Sequence, residues 1–295
     1  MHYILLDLEW NSAYSSKYKR FVNEIIEIGA VKLDEQLNEC DSFRVTVRSQ
    51  LTRRLSGRFK SLTHITNEEM RAGQPFEAAL ACYQAWVAPE DITMTWSNTD
   101  LYVLLENCRL FADTERIPCI YRYVDVQKFV QEELTRRGLV QGKNQISLAA
   151  AAELIGIETT ALDLHRAETD SRLTCALLRE AFDQERLCAM CQDTTAPDYY
   201  DRLTFKSYVI SDIRSPYVDK KQMRFRCDAC GEAARRVTPW AFKNRRFGAK
   251  FACGSCGREF MGRVTFKKLY DGVSVKRSIA EVPPPTEAAT AEPTE

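Results

Sequence analysis

The chain has 295 residues, of which 45% are hydrophobic and 28% charged, the balance of a folded globular protein and not of a mainly disordered one. At roughly 150 residues per domain that length suggests about two domains, and no run reaches the 18 or so apolar residues a membrane helix needs. The net charge of +0 hides an uneven division: 22 bases against 31 acids in residues 1–201 (−9), 19 against 6 in residues 202–277 (+13), and none against 4 in residues 278–295 (−4).

In chain order, residues 2–9 predict a first strand. The acid at Asp7 follows too soon, and no basic stretch precedes it, for this to be a signal peptide, so a cytoplasmic protein is expected. Residues 24–33 and 42–47 predict two more strands around the turn-like Asp34-Glu35-Gln36-Leu37-Asn38, giving an antiparallel meander. Thr66-Asn67-Glu68-Glu69 has capping-box spacing, and Pro75 opens a helix over residues 76–87. A strand (92–96), a helix (100–111), a strand (117–124) and helices over 126–137, 147–155 and 167–187 follow. Three strands and then alternating helices and strands predict an α/β domain over residues 1–193, a mixed sheet covered on both faces by helices. The character changes near Asp193-Thr194-Thr195-Ala196-Pro197-Asp198. Residues 202–277 form a basic, β-like segment with runs at 204–213, 262–268 and 273–276, and residues 278–295, with Pro283-Pro284-Pro285, predict a disordered tail.

On the first strand Asp7 and Glu9 share a face, roughly 6–7 Å apart at 3.3 Å per residue. At that distance their repulsion is about 2.5 kcal/mol at an effective dielectric of 20, and desolvation adds several kcal/mol per ion. Bound cations reverse the sign of both; a solvent-facing edge strand would avoid both. Asp100 and His165 with Asp170 each sit near a predicted helix start. Taken singly each fits a capped helix, with Ser97 and Asp100 at capping-box spacing.

Taken together, Asp7-Leu8-Glu9-Trp10, Asp100 and His165-Arg166-Ala167-Glu168-Thr169-Asp170 match, in order and approximate spacing, the motifs of the DEDDh (DnaQ-like) 3′–5′ exonucleases. These include polymerase proofreading subunits, RNase T and the Eri-type RNA exonucleases. The chain resembles this family over about residues 1–187. Asp7-Leu8-Glu9-Trp10-Asn11, followed by Glu24-Ile25-Ile26-Glu27-Ile28-Gly29-Ala30-Val31, looks closest to the Eri-type and KapD-like branch. The resemblance implies an RNase H-like fold and two Mg²⁺ or Mn²⁺ ions, cations that hard carboxylate oxygens suit. It implies that Asp7 bridges both ions, that Glu9 and Asp170 hold the one on the nucleophile side, and that Asp100 acts on the other. His165 would be the general base, and Trp10, Leu62 and Thr63 would face the 3′-terminal nucleotide. Relatives usually carry Gly where this chain has His64.

The eleven cysteines divide into five single ones and three C-x-x-C pairs. Cys40, Cys82, Cys108, Cys119 and Cys175 read as small buried hydrophobes. Cys227-Asp228-Ala229-Cys230-Gly231 and Cys253-Gly254-Ser255-Cys256-Gly257 are two Gly-ended knuckles, which together supply the four thiolates of a closed structural Zn²⁺ site, a zinc ribbon. Cys188-Ala189-Met190-Cys191 has no partner pair and reads as coincidence. Trp240, Phe242, Phe247, Phe251, Phe260, Phe266 and Tyr270 interleave with Arg235, Arg236, Lys243, Arg245, Arg246, Lys250, Arg263, Lys267 and Lys268. Such a surface suits single-stranded nucleic acid, although at least half of these rings are expected to form the ribbon's own core. The reading that emerges is a metal-dependent 3′–5′ exonuclease on single-stranded nucleic acid, with RNA favoured over DNA. The rivals are a DNA proofreading or repair exonuclease and a catalytically silent nucleic-acid-binding adaptor.

Overall fold

A computed structural model describes residues 1–55, 57–142, 144–157 and 166–282, apart from the side chains of Arg58, Ser61 and Leu62. The chain divides into two compact units, Met1–Leu203 and Thr204–Glu295. No helix among the described residues is long and apolar enough to cross a membrane.

The first unit runs β1 (Tyr3–Ser15), β2 (Arg20–Leu33), β3 (Glu39–Thr46), α1 (Gly57–Thr63), α2 (Asn67–Ala72), α3 (Phe76–Trp86), β4 (Ile92–Thr95), α4 (Thr99–Phe111), β5 (Arg122–Asp125), α5 (Val126–Arg136), α6 (Leu148–Leu154), α7 (Ala167–Ala181), α8 (Gln184–Met190), β6 (Gln192–Asp193) and α9 (Tyr199–Thr204). Its sheet has the order β3-β2-β1-β4-β5-β6. The first three strands are the expected antiparallel meander, while β1, β4 and β5 are parallel. Strand alternation sorts β1 between two cores. Ile4, Leu6 and Leu8 pack with Phe76 and Leu80 of α3 and Leu101 and Leu104 of α4. Tyr3 and Leu5 face the other way, onto Phe129 of α5 and Leu177 and Leu178 of α7. Each such buried side chain is worth on the order of 1.5–3 kcal/mol, so the middle of β1 is fixed from both faces.

Several elements differ from expectation. The helix over 167–187 breaks at Phe182, because Asp183 caps a new helix by accepting the Arg186 N–H. Of the run 117–124 only Arg122–Asp125 is strand; Ile117, Cys119 and Ile120 are buried without ladder pairing beside Pro118, which has no N–H to give. The stretch after Asp193, where the first domain was expected to end, belongs to the first unit. There Thr194 donates to the Ile120 carbonyl, and Tyr199, Tyr200 and Leu203 enter the core. Of the single cysteines, Cys40 and Cys82 are exposed, while Cys108, Cys119 and Cys175 are buried as expected.

The second unit is a small antiparallel sheet: β7 (Tyr208–Val209), β8 (Ala234–Arg236), β9 (Ala241–Lys243), β10 (Arg246–Cys253), β11 (Glu259–Lys268) and β12 (Val273–Ala280). Its path is β12-β11-β10-β8, with β9 on β10 and β7 on β11. The run 204–213 contributes only the two-residue β7. Strand β12 continues to Ala280, past the tail boundary expected at 278, because Met261, Gly262 and Arg263 pair with Ala280, Ile279 and Ser278. Residues 283–295 of that tail lie outside the described residues. Phe247, Phe251, Phe260 and Phe266 lie in the core, four of the seven rings that interleave with the basic residues, in line with the expectation that at least half serve the ribbon's own core.

Candidate active site

The apolar alternation of β1 ends in acid. After Tyr3 and Leu5 the same face presents Asp7 and Glu9, both half-buried. Pairing with β4 stops at Leu5, opposite Met94, whereas pairing with β2 continues. That leaves the β4-side edge of β1 open at its carboxyl end, the place where ligands bind in sheets of this kind. The Leu8 N–H on this edge donates to the Asp100 carboxylate at 3.1 Å. Asp100 is buried in the first turn of α4. The expected capping box with Ser97 does not form: Asn98 is the cap residue, without a side-chain bond, and Ser97 has a φ of 79°. Asp170 comes from the first turn of α7.

One carboxylate oxygen each from Asp7, Glu9 and Asp170 lies within 4.8 Å of the others. With Asp100 beside them, they line a cavity of about 410 Å³ whose other walls include Trp10, Phe59, Trp96, Thr99 and Leu148. Burial and mutual repulsion push protons onto this cluster. Glu9 is raised to about 8, by burial first and then by Asp170, Glu27 and Asp100. Asp100 is raised to about 7 by burial, despite the Leu8 N–H. Asp7 is driven well above the carboxylate range by burial and then by Asp100, Glu9 and Asp170. A divalent cation fits this donor set: oxygens on one Mg²⁺ at about 2.0–2.1 Å lie no more than roughly 4 Å apart, so a small closure suffices. It would also neutralise the charge that raises the three groups.

A buried ionic clamp holds α7 against the sheet. Glu27 stands opposite Glu9 in the β1–β2 register and is fully buried. Its carboxylate accepts from Arg44 Nε at 3.0 Å, Arg166 Nη2 at 2.9 Å and the Ala167 N–H at 3.3 Å. Burial still raises the Glu27 carboxyl, and Arg44 opposes that. Arg166 follows His165 directly; His165 itself lies outside the described residues.

The substrate-side expectations fare unevenly. Trp10 lines the cavity. Thr63 does not; it is fully buried, its hydroxyl donating to the Phe59 carbonyl and accepting from the Ile65 N–H. The Leu62 side chain lies outside the described residues, and Phe59, one turn earlier on α1, supplies a cavity wall that no periodic pattern announces. His64 has a φ of 57°, the left-handed region in which glycine is at ease, so a Gly, which the resemblance leads one to expect here, would fit this backbone without strain.

In the second unit Cys227, Cys230, Cys253 and Cys256 place their sulfurs within 4.8 Å of one another, with Cys227 and Cys256 at 3.6 Å and Cys230 and Cys253 at 3.4 Å. Sulfurs on one tetrahedral Zn²⁺ at about 2.3 Å lie roughly 3.8 Å apart, so the four fit the ion. Each knuckle closes on its Gly in the left-handed region, Gly231 (φ 77°) donating to the Cys227 carbonyl and Gly257 (φ 73°) to that of Cys253. The Cys256 and Ser255 N–H groups aim at the Cys253 sulfur and bring it down to about 6. Arg258 bridges the knuckles to Asp228 at 2.7 and 2.8 Å. Among the described residues Cys188 and Cys191 join no such cluster.

The chain matches the family model described as Exonuclease over residues 5–178. Among solved structures it resembles the nuclease domain of 3′hExo, a DEDDh family member bound to rAMP, at 21% identity and a TM-score of 0.53, covering 61% of this chain and 90% of that one. It resembles cell-death related nuclease 4 at 19% identity and a TM-score of 0.52, covering 61% of this chain and 62% of that one. A 3′-exonuclease described in 3′-end recognition of the histone mRNA stem-loop matches at 19% identity and 0.51, covering 61% and 80%. At these identities the likeness is one of fold. No curated protein matches the sequence.

Proposed function

Since the chain belongs to the exonuclease family, its first unit being an RNase H-like nuclease domain, we propose that it removes nucleotides one at a time from the 3′ end of single-stranded nucleic acid, RNA in preference to DNA. The observation that carries this reading is the convergence of Asp7, Glu9 and Asp170 within 4.8 Å, beside buried Asp100, in an open cavity where β1 runs on beyond its pairing with β4. RNA is favoured through the Eri-like run from Asp7 to Val31, and the fold neighbour bound to rAMP supports it.

Asp7, Glu9 and Asp170, with Asp100, would hold Mg²⁺ or Mn²⁺. When bound, two such ions supply charge stabilisation to the attacking and leaving oxygens of phosphodiester hydrolysis. The remaining work falls to the chain. Glu27 fixes Arg166 and the first turn of α7, and so sets where Asp170 stands. His165 takes the proton of the attacking water, a task that suits an imidazole titrating near neutrality. The water oxygen bonds to phosphorus, and the bond to the 3′ oxygen of the preceding nucleotide breaks. Trp10, Phe59 and Trp96 offer rings to the terminal base. In the second unit one Zn²⁺ on the four cysteines holds the small sheet together, and its basic surface grips the strand.

The test is a 5′-labelled single-stranded RNA and the matching DNA incubated with Mg²⁺, with Mn²⁺ or without either, beside Asp7→Ala. A one-nucleotide ladder shortening from the 3′ end, absent without the ion and in the variant, is the expected result. Uncut strands that still bind would replace this reading with the adaptor.

A further inference from the structure

Two adjoining cavities of about 700 and 650 Å³ open in the second unit, sharing Arg224, Phe225 and Ala233 in their walls, and the second is a groove that also takes in Trp240, Arg235 and Arg236. Its floor is aromatic. Trp240 stands 5.7 Å from Phe251 and 6.4 Å from Phe225, centroid to centroid. Phe225 and Phe251 are buried, at 5% and 2% exposure, but Trp240 is only half-buried and keeps accessible ring surface. The rim is cationic: Arg214, Lys220, Arg235 and Arg236 line one cavity and Arg226 and Arg277 the other, and neither lining contains a carboxylate.

These cations are not absorbed by the fold. Of the second unit's acids, Asp228 pairs with Arg258 and Glu259 with Lys250, while Asp212 and Asp219 accept the backbone N–H groups of Arg214 and Lys221. Arg277 packs 4.8 Å over Phe225 and donates to the Arg224 carbonyl, and Arg226 donates to the Gly231 carbonyl. Arg214, Lys220, Arg235 and Arg236 make no ion pair among the described residues. Cations lining a carboxylate-free groove repel one another unless an anion lies between them. The size suits a nucleotide, since small-ligand sites run to about 300–1,000 Å³. A ring recessed in a groove can meet the face of an unpaired base but not of one stacked inside a duplex.

We propose that this groove is a single-strand subsite, in which Trp240 stacks an unpaired base while Arg235 and Arg236 neutralise the phosphates beside it. The proposal rests on the reading of the substrate as single-stranded nucleic acid and names where the second unit would hold it.

Binding of a labelled 20-nucleotide single strand by the full, zinc-loaded chain, measured by fluorescence anisotropy without Mg²⁺ or Mn²⁺, tests it. Arg235→Ala with Arg236→Ala, both exposed, should weaken binding about tenfold and lower the slope of log Kd against log salt by about 1.4, two phosphate contacts at roughly 0.7 each. Trp240→Ala should weaken it about as much with little change in that slope. Trp240→Phe, which keeps a ring, should restore most of the affinity and guards against misfolding, checked by zinc content. Lys206→Ala with Lys276→Ala, both exposed and outside the groove lining, should cost less than threefold. Equal loss from that outside pair, unchanged binding in the groove variants, or equal affinity for duplex would overturn the proposal. Hydrolysis of a mononucleotide p-nitrophenyl ester with Mn²⁺, which needs the carboxylate site alone, should be the same in all these variants. Its absence from the unaltered chain would instead count against the nuclease reading, separately from the groove.

Discussion

Gly29 lies against Ala167 so closely that a Cβ at position 29 would come within 2.6 Å of the Ala167 carbonyl carbon and its Cβ, and within 2.5 Å of the Glu168 nitrogen. Strand β2 thus meets the first turn of α7 backbone to backbone, three residues before Asp170 and opposite Asp7 in the register. The atoms in the way are main chain and cannot swing aside. Gly29→Ala must therefore push the start of α7 outward. Overpacking of this kind costs about 1–3 kcal/mol, and misplacement of a catalytic group by about 1 Å costs on the order of 10²-fold in rate. We expect a lowered Tm and a loss of that order in exonuclease rate. Gly272→Ala, where a Cβ meets nothing within 4 Å, should leave both unchanged.

Glu27 secures the same turn by charge. Fully buried and bonded to Arg44, Arg166 and the Ala167 N–H, it is the common partner of two guanidinium groups. Removing one member of a buried ionic group costs about 3–5 kcal/mol, because the others stay desolvated. Glu27→Ala should fall in that range by urea unfolding. Glu27→Gln, which keeps the shape but not the charge, should lie between it and the unaltered chain. Arg44→Ala, which leaves Glu27 its bonds to Arg166 and Ala167, should cost less than either.

How far the sequence disclosed this arrangement depends on the range of each interaction. Strands β1 to β3 and the helix starts near Thr66, Pro75 and Ser147 depend on neighbours in the chain, so their patterns are legible. Asp7, Glu9, Asp100 and Asp170 are legible as a set through the family resemblance, since no single one departs from an ordinary cap or strand acid. Glu27 was not legible as a clamp: its partners lie 17 and 139 residues away, and in Glu24-Ile25-Ile26-Glu27 it resembles the solvent side of a strand. The capping box proposed for Ser97 and Asp100 failed because the open edge of β1 offers the Asp100 carboxylate a long-range partner in the Leu8 N–H. Phe59 and the α9 tyrosines escape for a different reason: their short helices carry too few turns to show a period.

Removal of Zn²⁺ should act on the second unit alone. Four cysteines close the site, leaving no open position for catalysis, and among the described residues the buried core beside Cys227 and Cys253 is ten further side chains. Cys230→Ser should release the ion and abolish the cooperative melting of residues 204–282, because binding energy at such sites is folding energy. Mononucleotide ester hydrolysis should persist. Zinc per chain, counted by a colorimetric chelator after denaturation, should be one in the unaltered protein and near zero in the variant.

The carboxylate cluster also fixes the sign of a pH effect on stability. Glu9 and Asp100 titrate near 8 and 7 in the fold, against ordinary values of 4.5 and 3.8, and Asp7 is likewise raised. Between those limits the folded state binds more protons than the unfolded one, so stability falls as pH rises. Without divalent ions, the first unit should therefore melt at a lower temperature at pH 8 than at pH 6. Asp7→Asn removes one of the repelling charges and should raise the Tm at pH 8, by about 2–4 °C for each kcal/mol relieved, while abolishing nuclease activity. Mg²⁺ opposes the same repulsion, so it should stabilise the unaltered chain more at pH 8 than at pH 6 and stabilise Asp7→Asn little at either. Calorimetry at the two pH values, with and without Mg²⁺, measures all four quantities. A cluster that served only as a solvated acidic surface would show neither the fall with pH nor the gain from the substitution.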